Sequence, residues 1–410
     1  MNNDGEVRDR IRKKIGNGSA VVLTAHEFKE RVEKGEPVLG EVDVVTCGTC
    51  GVMSGTYAVL SVPVASPGSF LRADSATLNG VPAFVGPCPN ERLGLVDLIV
   101  YGTSHATDRY GGGHLFHDLI AGRSVHVAVQ SQGKNFETDI TGPELPHARL
   151  FTTRSAFKNY TAIMNCSTQP VRTIFSSVPL SGSCSEVTVS GCGEINPLEN
   201  DPTLRFLSVG TPLLVNGGMG YFIGQGTRSS AARPNIAAHG DMASMDAHFC
   251  GGFSTSAGPE CITSIGTAIP VIDQATVDAL SVRDAEITLP VMDISDRQQV
   301  SSSSYDRVWS GTSRSIQFDP LACKTCDVCD VRNSCPVDAI KQDGTIHHRQ
   351  CFACGTCVQI CKGKAYSGKF GALNIPFGDI PIVLRQSDRT RGELLCKRLK
   401  EMILHEEFPV

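Results

Sequence analysis

Near the C-terminal end of this chain a cysteine pattern occurs twice. Cys323, Cys326 and Cys329 are spaced C-x-x-C-x-x-C and are followed by Cys335-Pro336; Cys351, Cys354 and Cys357 repeat the spacing and are followed by Cys361. A C-x-x-C turn lets two thiolates reach one iron–sulfur cube from a tight loop. The third cysteine in register takes another corner, and the fourth ligand comes from the other run. By that rule Cys323, Cys326, Cys329 and Cys361 hold one [4Fe-4S] cluster, and Cys335, Cys351, Cys354 and Cys357 hold the second. Zinc is the competing occupant, but zinc sites use two C-x-x-C pairs per ion and give the third cysteine of each run no purpose.

The double pattern resembles the bacterial two-cluster ferredoxins. It departs from them in the five residues that separate Cys329 from Cys335 and in Lys362, which follows Cys361 where those proteins have proline. The insertion can loop out without moving a ligand, and proline would be only a local rigidifier. Each such cluster carries one electron at low potential, so a small oxygen-sensitive ferredoxin-like domain over residues 318–365 would deliver two electrons. Their acceptor must lie in the first 290 residues.

The chain has 410 residues and 17 cysteines, and an odd number cannot be fully paired into disulfides. With 41% hydrophobic and 19% charged residues it is globular in composition. A net charge of -5 argues against a protein that coats nucleic acid. The charged start lacks the apolar core of a signal peptide, and no run of apolar residues reaches membrane-spanning length. The expected setting is a reducing cytoplasm, and a homo-oligomer is open to such a chain.

The expected organisation is a large α+β or α/β domain with glycine-rich loops over residues 1–295, a linker over 296–317, the ferredoxin-like domain, and a C-terminal strand and helix over 366–410. Arg8–Ile15 reads as helix, and Thr24-Ala25-His26-Glu27 has capping-box spacing for a second helix, which Gly35 stops. Short β-rich runs follow, among them 42–45, 57–64, 81–85, 95–101 and 124–129, with a helix over 113–121. In the tail, Ile380–Leu384 reads as a strand and 390–406 as a helix whose Leu394, Leu395, Leu399, Met402 and Ile403 dock on the body of the protein.

Eight further cysteines fall in the large domain, and Cys396 in the tail helix reads as packing. Cys47 and Cys50 are expected on a glycine-rich turn straight after a strand, and Cys88 and Cys192 lie in similar Gly/Pro settings. Cys50, Cys88 and Cys192 form the expected reactive set, with Cys47 and Cys166 behind them, and these thiols are numerous enough to hold a third [4Fe-4S] cluster. Buried inert cysteine is the competing reading for any one of them. The run from Asn216 to Arg228 is dense in glycine. Asn216, Gly217, Gly218 and Gly220 can bring backbone amides to an anion that Arg228 clamps, or can simply form tight sheet turns. His114, with His105 as the alternative, is the candidate general acid.

Tyr110-Gly111-Gly112-Gly113-His114 with Asp118–Gly122, Asn196–Pro202 and the glycine run to Arg228 resemble the archaeal homocysteine-biosynthesis proteins. The fused cluster domain resembles their branch called methanogenesis marker protein 16. Those sulfurtransferases make homocysteine from aspartate semialdehyde, which implies a small anionic aldehyde, a sulfide donor and a low-potential electron donor. Their catalytic cysteine corresponds to the region of Cys47 and Cys50. Their second essential cysteine follows the strand matched by Val125–Val129, where this chain reads Gln130-Ser131-Gln132-Gly133-Lys134. Replacing an aldehyde oxygen by sulfur and reducing the thioaldehyde to a thiol takes two electrons, the number two clusters hold. The preferred expectation is sulfoacetaldehyde to coenzyme M. The alternatives are aspartate semialdehyde to homocysteine, or a non-enzymatic electron-transfer or cluster-delivery protein.

Overall fold

The structure, a computed structural model, describes residues 3–86 and 88–410. Alternating apolar residues and short turns build a large sheet of 14 strands. The Val22–Thr24/Val44–Val52 pair is parallel, and the other pairings in this sheet are antiparallel. Strand Thr56–Pro63 shows the reason plainly, since alternate residues are buried along its whole length. Helices are few. Thr24 caps Ala25–Glu33 through the reciprocal capping box its spacing predicts.

A second, six-stranded sheet joins Ala162–Met164, Val187–Val189, Thr288–Asp293, Gln299–Ser304, Ala372–Ile375 and Gly378–Arg385. Its strands come from both sides of the cysteine-rich segment. The expected linker contains Gln299–Ser304, which pairs with Thr288–Asp293, and the short helix Asp306–Trp309. The serine-rich composition of that stretch hid its role as an outer strand.

The fold is therefore mixed α+β, and the cysteine-rich segment shares its core. Val331, Cys335, Ile340, Ile346 and Phe352 belong to one buried cluster with Met164, Val187, Phe253 and Leu289. Within the segment, helix Asp330–Ser334 runs from Cys329 to Cys335, and helix Thr356–Ile360 precedes Cys361.

The C-terminal helix, Arg389–Leu404, begins at the N-cap Asp388 and buries Leu395, Leu399 and Ile403. Leu394 stays exposed, so the docking face is narrower than the periodicity predicts. Gly48 permits the approach: a Cβ there would stand 2.6 Å from the carbonyl of Gly392.

Candidate active site

Cys47 and Cys50 do not lie on a turn. They sit inside the strand Val44–Val52, which is paired along its length with Gly258–Pro270. Its β-branched residues favour the extended chain, and its glycines serve the close approach of the C-terminal segment. The three-residue spacing puts the two thiols on opposite faces. Cys47 packs with Cys192 in one core cluster, near Lys29, while Cys50 belongs to the cluster shared with the cysteine-rich segment.

The Cys50 carbonyl accepts from the Cys192 thiol at 3.6 Å, and the Cys50 thiol feels the charges of Arg391, Asp388, Cys192 and Cys250. Burial pushes the Cys50 thiol well up, and Cys192 to about 11. Both are held as thiols, so they become nucleophilic only when a metal or another cation takes over the proton's charge. The remaining candidates lie elsewhere. Cys88 is exposed, with its thiol raised first by a hydrogen bond to Asp97. Cys166 lies 2.8 Å from Cys184, sulfur to sulfur. The set Cys50, Cys88 and Cys192 is thus not assembled as a unit, and Cys250 is a further thiol whose charge reaches Cys50.

Cys250 lines a cleft of about 490 Å³ whose walls come from four parts of the chain. Helix Gly112–Ile120 contributes His114, His117 and Asp118. Loop 246–252 contributes His248 and Cys250. The cysteine-rich segment contributes Asp338, His347, Arg349 and Gln350, and Arg391 comes from the C-terminal helix.

His114 is where the sequence placed a general acid. Its Nδ1 accepts from the amide of Gly111 at 3.2 Å, so the neutral ring carries its proton on Nε2, which is buried without a partner. Burial lowers its pKa to about 4, and the ring is neutral near pH 7. It therefore offers a hydrogen-bond donor rather than a cation.

The glycine run lies behind this cleft. Asn216-Gly217 is the two-residue turn of the hairpin Pro212–Val215/Gly218–Gln225, with both residues at positive φ. Asn216 accepts from the amide of Ser264 at 2.9 Å through its side chain and from the amide of Asp246 at 3.0 Å through its carbonyl. A Cβ on Gly217 would strike the Phe249 ring at 2.6 Å. These residues support the Cys250 loop from behind. Gly218 and Gly220 serve sheet packing, and Arg228 is exposed beside Arg297, away from the cleft wall. The expected amide cradle is absent because the ladder already uses those backbone groups.

The eight cysteines of the doubled pattern divide into two groups. Cys323, Cys326, Cys329 and Cys361 line one cavity of about 240 Å³ that opens to the surface. Cys335, Cys354 and Cys357 are buried with Cys351 beside them. Burial first, and then Cys335 and Cys351, push the Cys354 thiol to about 12. Among the described residues no three His, Cys, Asp or Glu side chains converge as a single-ion site. The inner group is tied to the large sheet by the amide of Ser254, which donates to the carbonyl of Pro336 at 2.8 Å, and to a separate hairpin by Arg109, which donates to the carbonyl of Cys335 at 2.5 Å and pairs with Asp338.

Residues 20–410 match the model of a family described as homocysteine biosynthesis enzyme, sulfur-incorporation. The chain belongs to this family. It is thus a sulfur-incorporating enzyme, a sulfurtransferase, which sets aside the purely electron-carrying alternative. It is 43% identical over 403 residues to an uncharacterized protein of Methanothermobacter thermautotrophicus (97% of this chain, 93% of that one). It is 40% identical to an uncharacterized protein of Methanocaldococcus jannaschii (95% of this chain, 98% of that one). A third relative, L-aspartate semialdehyde sulfurtransferase of Methanosarcina acetivorans, is 29% identical over 79% of this chain and 66% of its own length. No solved structure matches.

Among the described residues no helix is long and apolar enough to cross a membrane. The residues that sequence reasoning missed are Cys250, His248, Arg349 and Arg391. Cys250-Gly251-Gly252 carries the same glycine signal as the other cysteine loops. The arginines come to the cleft only when the cysteine-rich segment and the tail pack against the large sheet.

Proposed function

We propose that this cleft converts sulfoacetaldehyde, sulfide and two electrons to coenzyme M. One aldehyde, one hydrogen sulfide, two electrons and two protons give one thiol and one water: the carbon–oxygen double bond is replaced by carbon–sulfur and then reduced. The observation that carries this reading is the convergence in one cleft of a buried neutral histidine, a thiol beside Cys50, and a wall formed by the cysteine-rich segment. His114 Nε2–H donates to the aldehyde oxygen and polarises the carbonyl. Of the thiols Cys50, Cys192 and Cys250, Cys250 lines the cleft, while Cys50 and Cys192 are fully buried behind it; receipt of sulfide is assigned to Cys50.

The two groups of cysteines fit two [4Fe-4S] clusters, the outer on Cys323, Cys326, Cys329 and Cys361, the inner on Cys335, Cys351, Cys354 and Cys357. When bound, such clusters supply low-potential electrons one at a time. The outer group faces the surface where an electron donor can meet it, and the inner group lies next to the cleft.

Two observations favour a sulfonate over aspartate semialdehyde. The α-ammonium group of the latter needs a free carboxylate, yet Asp118, Asp246 and Asp338 in the cleft are paired with Arg123, Arg398 and Arg109. Methanocaldococcus jannaschii also holds two relatives. The uncharacterized one matches this chain at 40% over 95% of its length. The other, named L-aspartate semialdehyde sulfurtransferase, matches at 27% over 73%. Aspartate semialdehyde to homocysteine is the second reading, favoured by that name. Anaerobic kcat/KM for the two aldehydes decides between them: the proposal requires sulfoacetaldehyde to be preferred, and a preference for aspartate semialdehyde replaces it with the second reading.

A further inference from the structure

The cleft has three arginines on its walls, and two of them are engaged. Arg123 pairs with Asp118 at 2.8 Å. Arg391 pairs with Asp388 at 3.2 Å and donates to the carbonyls of Arg349 and Gln350 at 3.2 and 2.9 Å. Arg349 is exposed at the cleft and, among the described residues, makes no ion pair. Its charge reaches His248, whose pKa is lowered first by burial and further by Arg391 and Arg349.

The backbone that presents Arg349 is fixed on both sides. Its carbonyl is held by Arg391, the Gln350 side chain donates to Val337 at 2.6 Å, and the amide of Cys351 donates to His347 at 2.9 Å. An unpaired guanidinium on a fixed backbone is suited to grip two oxygens of one acid group, because its planar fork matches carboxylate and sulfonate geometry.

We propose that Arg349 binds the acid group of the aldehyde, so that the cysteine-rich segment supplies the residue that selects the substrate. The inference rests on the cleft being the aldehyde site. It places acid-group recognition on the segment that also bears the eight patterned cysteines, so a chain in which that segment is unfolded loses substrate selection together with its electron supply. It also assigns to Arg349 the role that the sequence had suggested for Arg228.

The test uses the full-length, iron-reconstituted protein and its Arg349→Gln and Arg349→Lys variants under anaerobic conditions. Substrates are sulfoacetaldehyde, aspartate semialdehyde and uncharged propanal. Ethanesulfonate binding is measured separately by calorimetry. Loss of one charge-assisted contact predicts a KM for the acidic aldehydes raised about 10- to 100-fold in Arg349→Gln, with kcat and propanal turnover within about twofold. Arg349→Lys recovers part of the loss, iron content and the reduced-cluster spectrum stay unchanged, and ethanesulfonate binding weakens in parallel.

An unchanged KM for the acidic aldehydes, or an equal loss with propanal, overturns the assignment. So does ethanesulfonate binding that is the same in wild type and Arg349→Gln. If the wild type turns over no acidic aldehyde, the proposed function fails, while ethanesulfonate binding that depends on Arg349 still supports the anion site.

Discussion

The backbone amide of Asp388 donates to the carbonyl of Cys50 at 2.9 Å, which joins the start of the C-terminal helix to the thiol-bearing strand. From the same cap, Arg391 reaches the carbonyls of Gln350 and Cys351 at 2.9 and 3.4 Å. One helix start thus links the buried thiols, the cleft and the inner cysteine group. The proposed reaction, which needs sulfur, an aldehyde and electrons together, would draw on that arrangement.

Cys50 places its backbone carbonyl in this linkage and its thiol in the core shared with the cysteine-rich segment. We expect Cys50→Ala to lose thiol formation on the order of 10³-fold, as for removal of a reacting group, with iron content retained. Cys88 is exposed and does not line the cleft, so Cys88→Ala should leave turnover within about twofold. Anaerobic single-turnover assays of both variants check this, and equal losses would remove Cys50 from its assigned place.

The cysteine grouping makes a quantitative prediction. Two clusters require about eight irons per chain, and Cys361→Ala should lower the count to about four because Cys361 completes the outer group. Iron analysis with electron paramagnetic resonance reads both numbers. About twelve irons in the wild type would show a third cluster outside the doubled pattern, and an unchanged count in Cys361→Ala would break the crossed-ligand assignment.

Much of this was legible in the residues. The capping box at Thr24, the strands around Val81–Val85 and Leu95–Tyr101, and the tail helix lie where periodicity and caps place them, since each is decided by local chemistry. The grouping of the eight patterned cysteines follows from their spacing. The settings of Cys47, Cys50 and the serine-rich strand Gln299–Ser304 were not legible. The glycines beside Cys47 and Cys50 mark close approach of the distant C-terminal segment, a tertiary cause with no local signature, and the serines lie on a part-exposed outer strand that lacks an apolar alternation. Arg349 and Arg391 belong to the same class, because only the packing of the cysteine-rich segment and of the tail brings them to the cleft.

Glu260 gives a pH dependence with a definite sign. It is buried beside the site with Oε2 unpartnered, and burial raises its pKa from 4.5 to about 7, opposed by a hydrogen bond from Ser54. Between pH 4.5 and 7 the folded state therefore holds the proton that the unfolded state has released. Stability falls as pH rises through this window, and the deficit is complete above it. Glu260→Gln should remove the deficit, gaining up to about 3 kcal/mol at pH 8 and little at pH 4.5. Thermal melts of both proteins across this range check it; identical pH profiles would contradict the raised value.

Arg389 is 3% exposed and donates to Glu194 at 2.8 Å while also pairing with Asp284. Arg389→Met should cost about 3–5 kcal/mol by leaving buried carboxylates uncompensated. Adding Glu194→Gln should recover part of that cost, as denaturant titration would show. A single variant as stable as wild type would mean that Arg283, 3.2 Å from Glu194, compensates alone.

The most direct test of the central claim is anaerobic incubation of the iron-reconstituted protein with sulfoacetaldehyde, sulfide and a counted amount of low-potential reductant. Product is followed by mass spectrometry. The account predicts coenzyme M at one molecule per two electrons consumed. Clusters that reduce and reoxidise without any thiol product would contradict it.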